Sequence, residues 1–484
     1  MKFPIFRSRT VALAPVGPTP SPRQLRWHDM EVYGFIHFTV NTFTDREWGL
    51  GDESPAVFQP TDFDADQIAD AAAQGGLEGL ILTCKHHDGF CLWPSRYTDH
   101  SVRNSPWRAG GGDVVRDVSE ACRRRGLRFG VYLSPWDRHH AAYGRSEYLS
   151  YYRNQLEELT SEYGELFEVW FDGANGGNGY YGGANEERRI DRKTYYEWET
   201  TWDIVRRNQP NAVIFSDAGP DVRWVGNEKG IAGNPCWATF SKTGLYPGLE
   251  GGWEQLSAGD RAGTDWLPAE CDVSIRPGWF YHATEDDQVR SPENLLDLYF
   301  QSVGRGASLL LNLPPDRRGR IHERDLASLT AFRRRLHGLF ERNGADNARI
   351  RADSVRKPNR TFRPEHLIDG DPGTFWAAAD GHLQTEVVLD FSMPVSFNVI
   401  RLRENIAFGQ RVNRFAVDVE QAGAWMEYLQ AEAIGNRRIL KGNSVTTRRI
   451  RLRILDAIAS PVLTELALFF DPQLPAQNAS NAPG

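Results

Sequence analysis

The stretch EVWFDGANGG, residues 168–177, joins a short apolar run to a single carboxylate and a glycine-rich segment. Val169, Trp170 and Phe171 are residue types typical of a buried strand, and Asp172 follows them directly. Glycine permits backbone conformations that other residues avoid, so the segment after Asp172 is expected to turn tightly. The pattern predicts a buried strand that delivers a carboxylate to the edge of a sheet.

Similar apolar runs lie on both sides of this stretch. They are VYGFIHF (32–38), GLILTC (79–84), RFGVYLS (128–134), AVIFSD (212–217), CDVSI (271–275) and SLLLNL (308–313). Segments with helical periodicity separate them, and the first, DADQIADAAAQGG, predicts a helix that stops at Gly75. Apolar strands that alternate with helices form parallel sheets buried on both faces. We therefore predict an α/β fold, a (β/α)8-like barrel over residues 25–345. A doubly wound sheet is the alternative, but it lacks a nucleotide-binding fingerprint.

A different pattern follows Asn347. The segments TEVVLDF, FNVIRLREN, RFAVDVEQ, RRIRLRIL and LTELALFF are alternating or β-branched, with no long helix between them. This predicts an antiparallel β-sandwich over residues 346–472. Residues 1–24 are Pro-rich and predicted to be an extended N-terminal segment, and residues 473–484 are predicted to be a disordered tail.

Composition narrows the class of protein. The net charge of −8, with both signs interspersed, argues against a nucleic-acid partner. No apolar run approaches the roughly 20 residues of a membrane-spanning helix. Five cysteines without CxxC spacing disfavour a disulfide framework or a zinc site. The basic start has no apolar signal core, which fits a cytoplasmic protein, or a periplasmic or extracellular one whose signal was trimmed. The sequence leaves the oligomeric state open.

Polar or ionisable side chains follow every predicted strand of the barrel, where barrel enzymes place their chemistry. They are His37, His86, His87, Tyr132, Ser134, Trp136, Asp172, Asp217, Arg276, Trp279 and Asn312. No GxSxG or HExxH motif is present, and paired carboxylates are typical of glycoside hydrolysis. Two alternatives are a metal-dependent barrel hydrolase that uses His37, His86 and His87, and a non-catalytic glycan-binding protein.

The sequence resembles the α-L-fucosidases of glycoside hydrolase family 29 over about residues 25–340. The resemblance is carried by GFIHFTVNTFTDREWG, LTCKHHDGFCLWPS, GVYLSPWD, EVWFDGA and GRGASLLLNLPPDRRGRI. It implies a retaining exo-α-L-fucosidase that releases L-fucose from a fucosylated oligosaccharide by double displacement, without a cofactor. Asp172 matches the family's nucleophile. The fucose-binding residues implied are His37, Glu47, Trp48, His86, His87, Tyr132 and Trp170, with Trp279 or Phe280 as the apolar wall for the ring methyl.

The loop SDAGPDVRWVGNEKG, residues 216–230, resembles a branch of the family that acts on α-1,3/4-linked fucose of Lewis-type glycans. In that branch a glutamate of this loop is the acid/base, which implies Glu228. Asp217, Asp221 and Glu270 are alternatives. We expect the pKa of the acid to be raised by burial against an aromatic residue such as Trp224 or Trp237.

The segment HLIDGDPGTFWAA, residues 366–378, resembles a discoidin-like carbohydrate-binding module. The resemblance implies that the acidic loop of Asp369 and Asp371 holds a structural Ca²⁺ and that Trp376 belongs to the core. A sugar-binding role and a purely structural role for this module are both open.

Overall fold

The computed structural model describes residues 13–474, and a closed barrel of eight parallel strands forms its first domain. The strands are β1 (Val32–Ile36), β2 (Gly79–Lys85), β3 (Arg128–Leu133), β4 (Glu168–Trp170), β5 (Val213–Ser216), β6 (Val222–Trp224), β7 (Ala269–Ser274) and β8 (Ser308–Asn312). Each pairs with the next in the chain, and β8 closes the barrel on β1 through Val32 and Leu309. The predicted (β/α)8-like barrel is confirmed.

The strand β6 is the one that the apolar pattern did not predict. It has three residues, and Arg223 interrupts its apolar character. The Arg223 guanidinium is buried and donates to the carbonyl oxygens of Leu256 (2.8 Å) and Trp237 (3.0 Å). A strand this short, with a charged residue satisfied by distant carbonyls, carries no local signal.

Helices precede, connect and follow the strands of the barrel. They are α1 (Pro22–His28), α2 (Val40–Thr44), α3 (Ala65–Gly75), α4 (Val114–Arg125), α5 (Ser146–Glu162), α6 (Trp198–Asn208), α7 (Trp253–Ala258), α8 (Pro292–Gln301) and α9 (Glu323–Phe340). The predicted stop at Gly75 is confirmed, because Gly76 caps α3 with a φ of 71°. Within residues 13–474 no helix has the length and apolar character needed to span a bilayer.

The predicted terminal segments fall partly outside the described residues. Of the segment predicted to be extended, residues 13–21 precede the first helix, but α1 begins at Pro22 inside it. Ser21 and Gln24 form a capping box there, which explains the early start. The predicted disordered tail lies outside the described residues from position 475 onward.

The second domain is an antiparallel sheet domain, as predicted. Its strands are β9 (Arg349–Ala352), β10 (Trp376–Ala377), β11 (Thr385–Glu404), β12 (Val412–Gln421), β13 (Ala424–Glu432), β14 (Arg438–Ala457) and β15 (Val462–Phe469). The long strand β11 pairs with β14 along its length, with register shifts, and changes its other partner from β9 to β15. Trp376 is fully buried in the core, and its indole donates to the Ser354 carbonyl at 3.1 Å.

The two domains share an apolar contact. Val399, Ile439 and Phe469 of the sheet domain belong to the hydrophobic cluster of the barrel. The ring of Phe469 lies 4.8 Å from that of Phe340 in α9, at 81°. Burial of these side chains stabilises the docked arrangement.

We predict that Phe469→Ala destabilises the protein by about 3 kcal/mol, because it leaves a cavity in this contact. Phe470→Ala is a matched control, since its ring is 46% exposed and should change stability by less than about 0.5 kcal/mol. Scanning calorimetry and denaturant unfolding measure the difference. Equal losses for the two variants would contradict a packed interface at Phe469.

Candidate active site

A cavity of about 440 Å³ opens at the C-terminal ends of the barrel strands. Most of the side chains predicted to form the site line it. These are His37, Trp48, His86, His87, Tyr132, Trp170, Asp172, Glu228 and Trp279. The barrel thus gathers residues that are up to 242 positions apart in the sequence, from His37 to Trp279, into one site.

Asp172 lies two residues beyond the end of β4, and both of its carboxylate oxygens accept hydrogen bonds. The Tyr132 hydroxyl donates to Oδ2 at 3.0 Å, and the Ala174 N–H donates to Oδ1 at 2.6 Å. Burial raises the pKa of Asp172, and these two donors oppose that rise. The donors therefore hold the carboxylate in one orientation and favour its charged form.

The glycine after Asp172 is required by packing. A β-carbon on Gly173 would lie 2.4 Å from Oδ2 of Asp217, well inside van der Waals contact. The free turn that the sequence shows after β4 therefore makes room for a second carboxyl group beside the first.

Glu228 is another of the carboxyl side chains that line the cavity. The Trp279 indole donates to its Oε2 at 3.2 Å. Burial raises the pKa of Glu228, the hydrogen bond from Trp279 opposes this, and the negative charges of Asp172 and Glu47 add to it. Trp224 lines the same cavity, whereas Trp237 does not. The expected raised pKa is therefore present, with Trp224 as the aromatic neighbour in the cavity.

Of the three alternative acids, only Asp217 lines the cavity. It accepts the Gly248 N–H at 2.8 Å, and burial raises its pKa to about 7. Asp221 instead forms ion pairs with Arg23 (3.1 Å) and Arg206 (2.5 Å). These ion pairs give Asp221 a structural role.

Glu270 is fully buried inside the barrel and does not line the cavity. The Trp170 indole donates to it at 2.8 Å, and the Tyr33 hydroxyl donates as well. Glu270 therefore holds Trp170 in place from within the barrel.

The three cavity histidines are neutral. Burial lowers the pKa of His37 and of His87 to about 3, and it lowers the pKa of His86 well below its usual value. His37 Nδ1 lies 2.8 Å from Oδ1 of Asn312, and His87 Nδ1 lies 2.7 Å from the Ser134 hydroxyl. Across residues 13–474, no three His, Cys, Asp or Glu side chains are arranged to hold a metal ion. Neutral rings of this kind can donate and accept hydrogen bonds with sugar hydroxyls.

The acidic loop of the second domain is closed by its own hydrogen bonds. Asp369 accepts the Asp371 N–H at 3.0 Å and the Thr374 hydroxyl at 2.9 Å, and Asp371 accepts the Gly373 N–H at 2.8 Å. The two carboxylates are hard oxygen donors of the type that Ca²⁺ prefers, but they supply few of the roughly six to eight ligands it takes. The structural calcium ion stays a prediction.

Glu47 does not line the cavity but holds the loop that does. Its Oε2 accepts the Trp279 N–H at 2.8 Å, and its Oε1 accepts the Phe280 N–H at 3.1 Å. His282, which the sequence analysis did not single out, lies 2.7 Å from Oε1 through Nε2 and 2.8 Å from Asp45 through Nδ1. Trp279 lines the cavity and Phe280 is buried behind it.

Two further cavity residues were missed from the sequence. Asp272, on β7, lines the cavity and accepts the Trp224 indole at 2.8 Å, and burial raises its pKa. The signal was available, because an aspartate inside a barrel strand needs water or polar partners. Trp253 also lines the cavity, but it begins the short helix α7 directly after a glycine-rich loop, where the sequence has no periodicity.

Comparison with known proteins agrees with this geometry. Residues 22–337 match the model of the Alpha-L-fucosidase family, and residues 350–464 match that of the F5/8 type C domain. Alpha-L-fucosidase 1 of Arabidopsis thaliana is 41% identical over 463 residues, which cover 94% of this chain and 88% of the relative.

Solved structures are similar over the whole length. A putative alpha-L-fucosidase from Bacteroides thetaiotaomicron has a TM-score of 0.88 and 38% identity, and the match covers 95% of this chain and 99% of that one. A Ruminococcus gnavus GH29 fucosidase in complex with fucose has a TM-score of 0.85 and 30% identity, with coverage of 96% and 98%.

A closed barrel with an acid-lined cavity at the strand ends and a discoidin-like module behind it defines a glycoside hydrolase of two domains. The chain belongs to the α-L-fucosidase family, glycoside hydrolase family 29, and its substrate is a fucosylated glycan.

We predict that Glu47→Gln lowers kcat/KM on an aryl α-L-fucoside about 10- to 100-fold, because a neutral amide cannot accept from both N–H groups that position Trp279. Asp45→Asn is the matched control, since Asp45 contacts only the outer nitrogen of His282, and we expect a smaller loss. Thermal midpoints of both variants show whether folding is intact. Equal activity losses would contradict the positioning role of Glu47.

Proposed function

We propose that this α-L-fucosidase is an exo-acting, retaining enzyme that removes α-1,3- or α-1,4-linked L-fucose from branched, Lewis-type glycans. Asp172 is the nucleophile and Glu228 is the acid/base. The observation that carries the proposal is the contrast between these two carboxyl groups of one cavity. Asp172 has a donor on each oxygen, and these donors oppose the rise in pKa that burial causes, whereas Glu228 has a single donor and the charges of Asp172 and Glu47 add to the rise in its pKa.

The difference between Asp172 and Glu228 suits a double displacement. In the first step an Asp172 oxygen attacks the anomeric carbon, while the Glu228 proton passes to the glycosidic oxygen and the leaving sugar departs. A covalent fucosyl-enzyme results. In the second step the Glu228 carboxylate takes a proton from water, whose oxygen attacks the anomeric carbon and frees Asp172. Retention requires carboxyl groups about 5–5.5 Å apart, and Asp172 and Glu228 line the same cavity.

The remaining cavity residues suit the binding of one sugar. The neutral rings of His37, His86 and His87 supply hydrogen bonds to hydroxyl groups. Trp170, which stacks on Phe215 at 4.2 Å, supplies an aromatic surface, as does Trp279. Neutral imidazole rings suit the hydroxyl groups of a neutral sugar, because each ring can both donate and accept a hydrogen bond.

The linkage preference rests on the loop of residues 216–230, which resembles the α-1,3/4 branch of the family. Rates on α-1,3-, α-1,4- and α-1,2-fucosylated oligosaccharides of the same size test it. We expect turnover of the first two and little of the third. Equal rates on all three would contradict the proposed linkage preference.

We predict that Asp172→Ala lowers kcat/KM more than about 10³-fold on every fucoside, because no other group can form the covalent intermediate. Added azide should restore part of the reaction and give a fucosyl azide of inverted configuration. Product analysis by NMR identifies it. Substantial turnover by the folded variant without azide would contradict the assignment of the nucleophile.

We predict that the loss of activity caused by Glu228→Ala depends on the leaving group. A general acid contributes typically about 10²–10⁴-fold, and mainly when the leaving group is poor. The variant should therefore lose most of its rate on an oligosaccharide and little in the first step on α-L-fucosyl fluoride.

Asp217→Asn and Asp272→Asn are matched controls for Glu228→Ala, because both side chains line the same cavity. We expect neither to show this dependence on the leaving group. If one of them does and Glu228→Ala does not, that residue is the acid.

A further inference from the structure

The cavity mouth carries two exposed tryptophans. Of the 15 tryptophans in the chain, all within the described residues, only Trp48 and Trp253 are more than half exposed, at 52% and 56%. Both line the cavity. Large aromatic side chains are normally buried, and exposed ones at a cavity indicate ligand contact. The resemblance to the family assigns Trp48 to fucose, but it assigns nothing to Trp253.

Trp253 lies on the Glu228 side of the cavity. It is the first residue of α7, and its backbone packs against the loop that carries Glu228. A β-carbon on Gly226, two residues before Glu228, would lie 2.5 Å from the Trp253 carbonyl oxygen. The two segments are therefore in direct backbone contact.

The segment that carries Trp253 is anchored on both sides of this residue. Before it, the Gly248 N–H donates to Asp217 at 2.8 Å, and Arg192 donates to the Gly248 carbonyl at 3.1 Å. After it, the buried Leu256 packs with Phe240 and Leu267. An exposed ring on an anchored segment is arranged in advance for a partner, since little is left to order on binding.

We propose that the indole of Trp253 stacks on the pyranose ring of the leaving sugar, the one to which the fucose is attached. The inference rests on the proposed role of Glu228. The acid must reach the oxygen between fucose and the next sugar, so that sugar has to lie beside Glu228, where Trp253 is. The flat indole covers the apolar C–H face of a pyranose, as N-acetylglucosamine presents it. Trp253 thereby selects for a leaving group that is a sugar.

The test compares two substrates, an α-1,4-fucosylated N-acetylglucosamine oligosaccharide and α-L-fucosyl fluoride, which has no leaving sugar. Trp253→Ala should lower kcat/KM on the oligosaccharide about tenfold, the equivalent of about 1.4 kcal/mol. On the fluoride it should change kcat/KM less than about twofold. Trp253→Phe, which keeps a ring, should recover part of the loss. Met426→Ala, at an exposed site of the second domain, is the surface control and should change kcat/KM on neither substrate.

A binding measurement makes the test independent of turnover. In the Asp172→Ala background, Trp253→Ala should weaken the affinity for the oligosaccharide, as measured by calorimetric titration. It should leave the affinity for free L-fucose unchanged. Equal losses of kcat/KM on the two substrates, or equal losses of affinity for the two ligands, would overturn the proposal and indicate a structural role for Trp253. No loss on the oligosaccharide would overturn it as well.

The activity of Glu228→Ala tests separately whether Glu228 is the acid. If Glu228→Ala turns over the oligosaccharide normally, Glu228 is not the acid. The Trp253 variants still report whether a leaving sugar binds at that ring.

Discussion

The hydrogen bonds that fix Asp172 are the constraint on which the rest of the site depends. Tyr132 comes from β3 and the Ala174 N–H from the turn after β4, so the two donors meet the carboxylate only if the neighbouring strands keep their register. Tyr132 is itself buried, and its ring lies 5.3 Å from that of Trp170. The apolar strands at the start of the domain are therefore part of the chemistry, because they set where one carboxylate points.

The second carboxyl group is held differently. Glu228 follows the three-residue strand β6 and lies in a loop whose backbone meets that of Trp253, later in the chain. Its one donor, Trp279, is held by Glu47 from the loop after β1. In the proposed mechanism this difference is useful, since an acid with a single donor can adjust to leaving groups of different shapes. The same loop region also presents Trp253.

Much of this arrangement could be predicted from the sequence, for a physical reason. Apolar runs that alternate with helices predict a parallel barrel, and the residue after each run must lie at one edge of it. His37, His86, His87 and Asp172 were found in this way. The resemblance supplied Glu228, because nothing in a polar loop marks one acid over another.

The features that the sequence did not predict depend on contacts between segments that are far apart in the chain. The strand β6 has no apolar run, because distant carbonyl groups satisfy Arg223. The place of Glu47 behind Trp279, and the part of His282 in holding it, follow from a loop that meets them only in the folded chain. Trp253 is defined by its exposure, which a sequence does not display. Asp272 is the exception, since the two carboxylates of β7, Glu270 and Asp272, were a signal that could have been used.

We propose that Asp172 and then water attack the same anomeric carbon, with Glu228 first giving a proton to the leaving oxygen and then taking one from water. Proton NMR of the reaction mixture, recorded before the released sugar mutarotates, tests it most directly. The account predicts that α-L-fucose is the first product, because two inversions restore the starting configuration. Initial formation of β-L-fucose would contradict it, since that outcome requires a single displacement by water and a different pair of carboxyl groups.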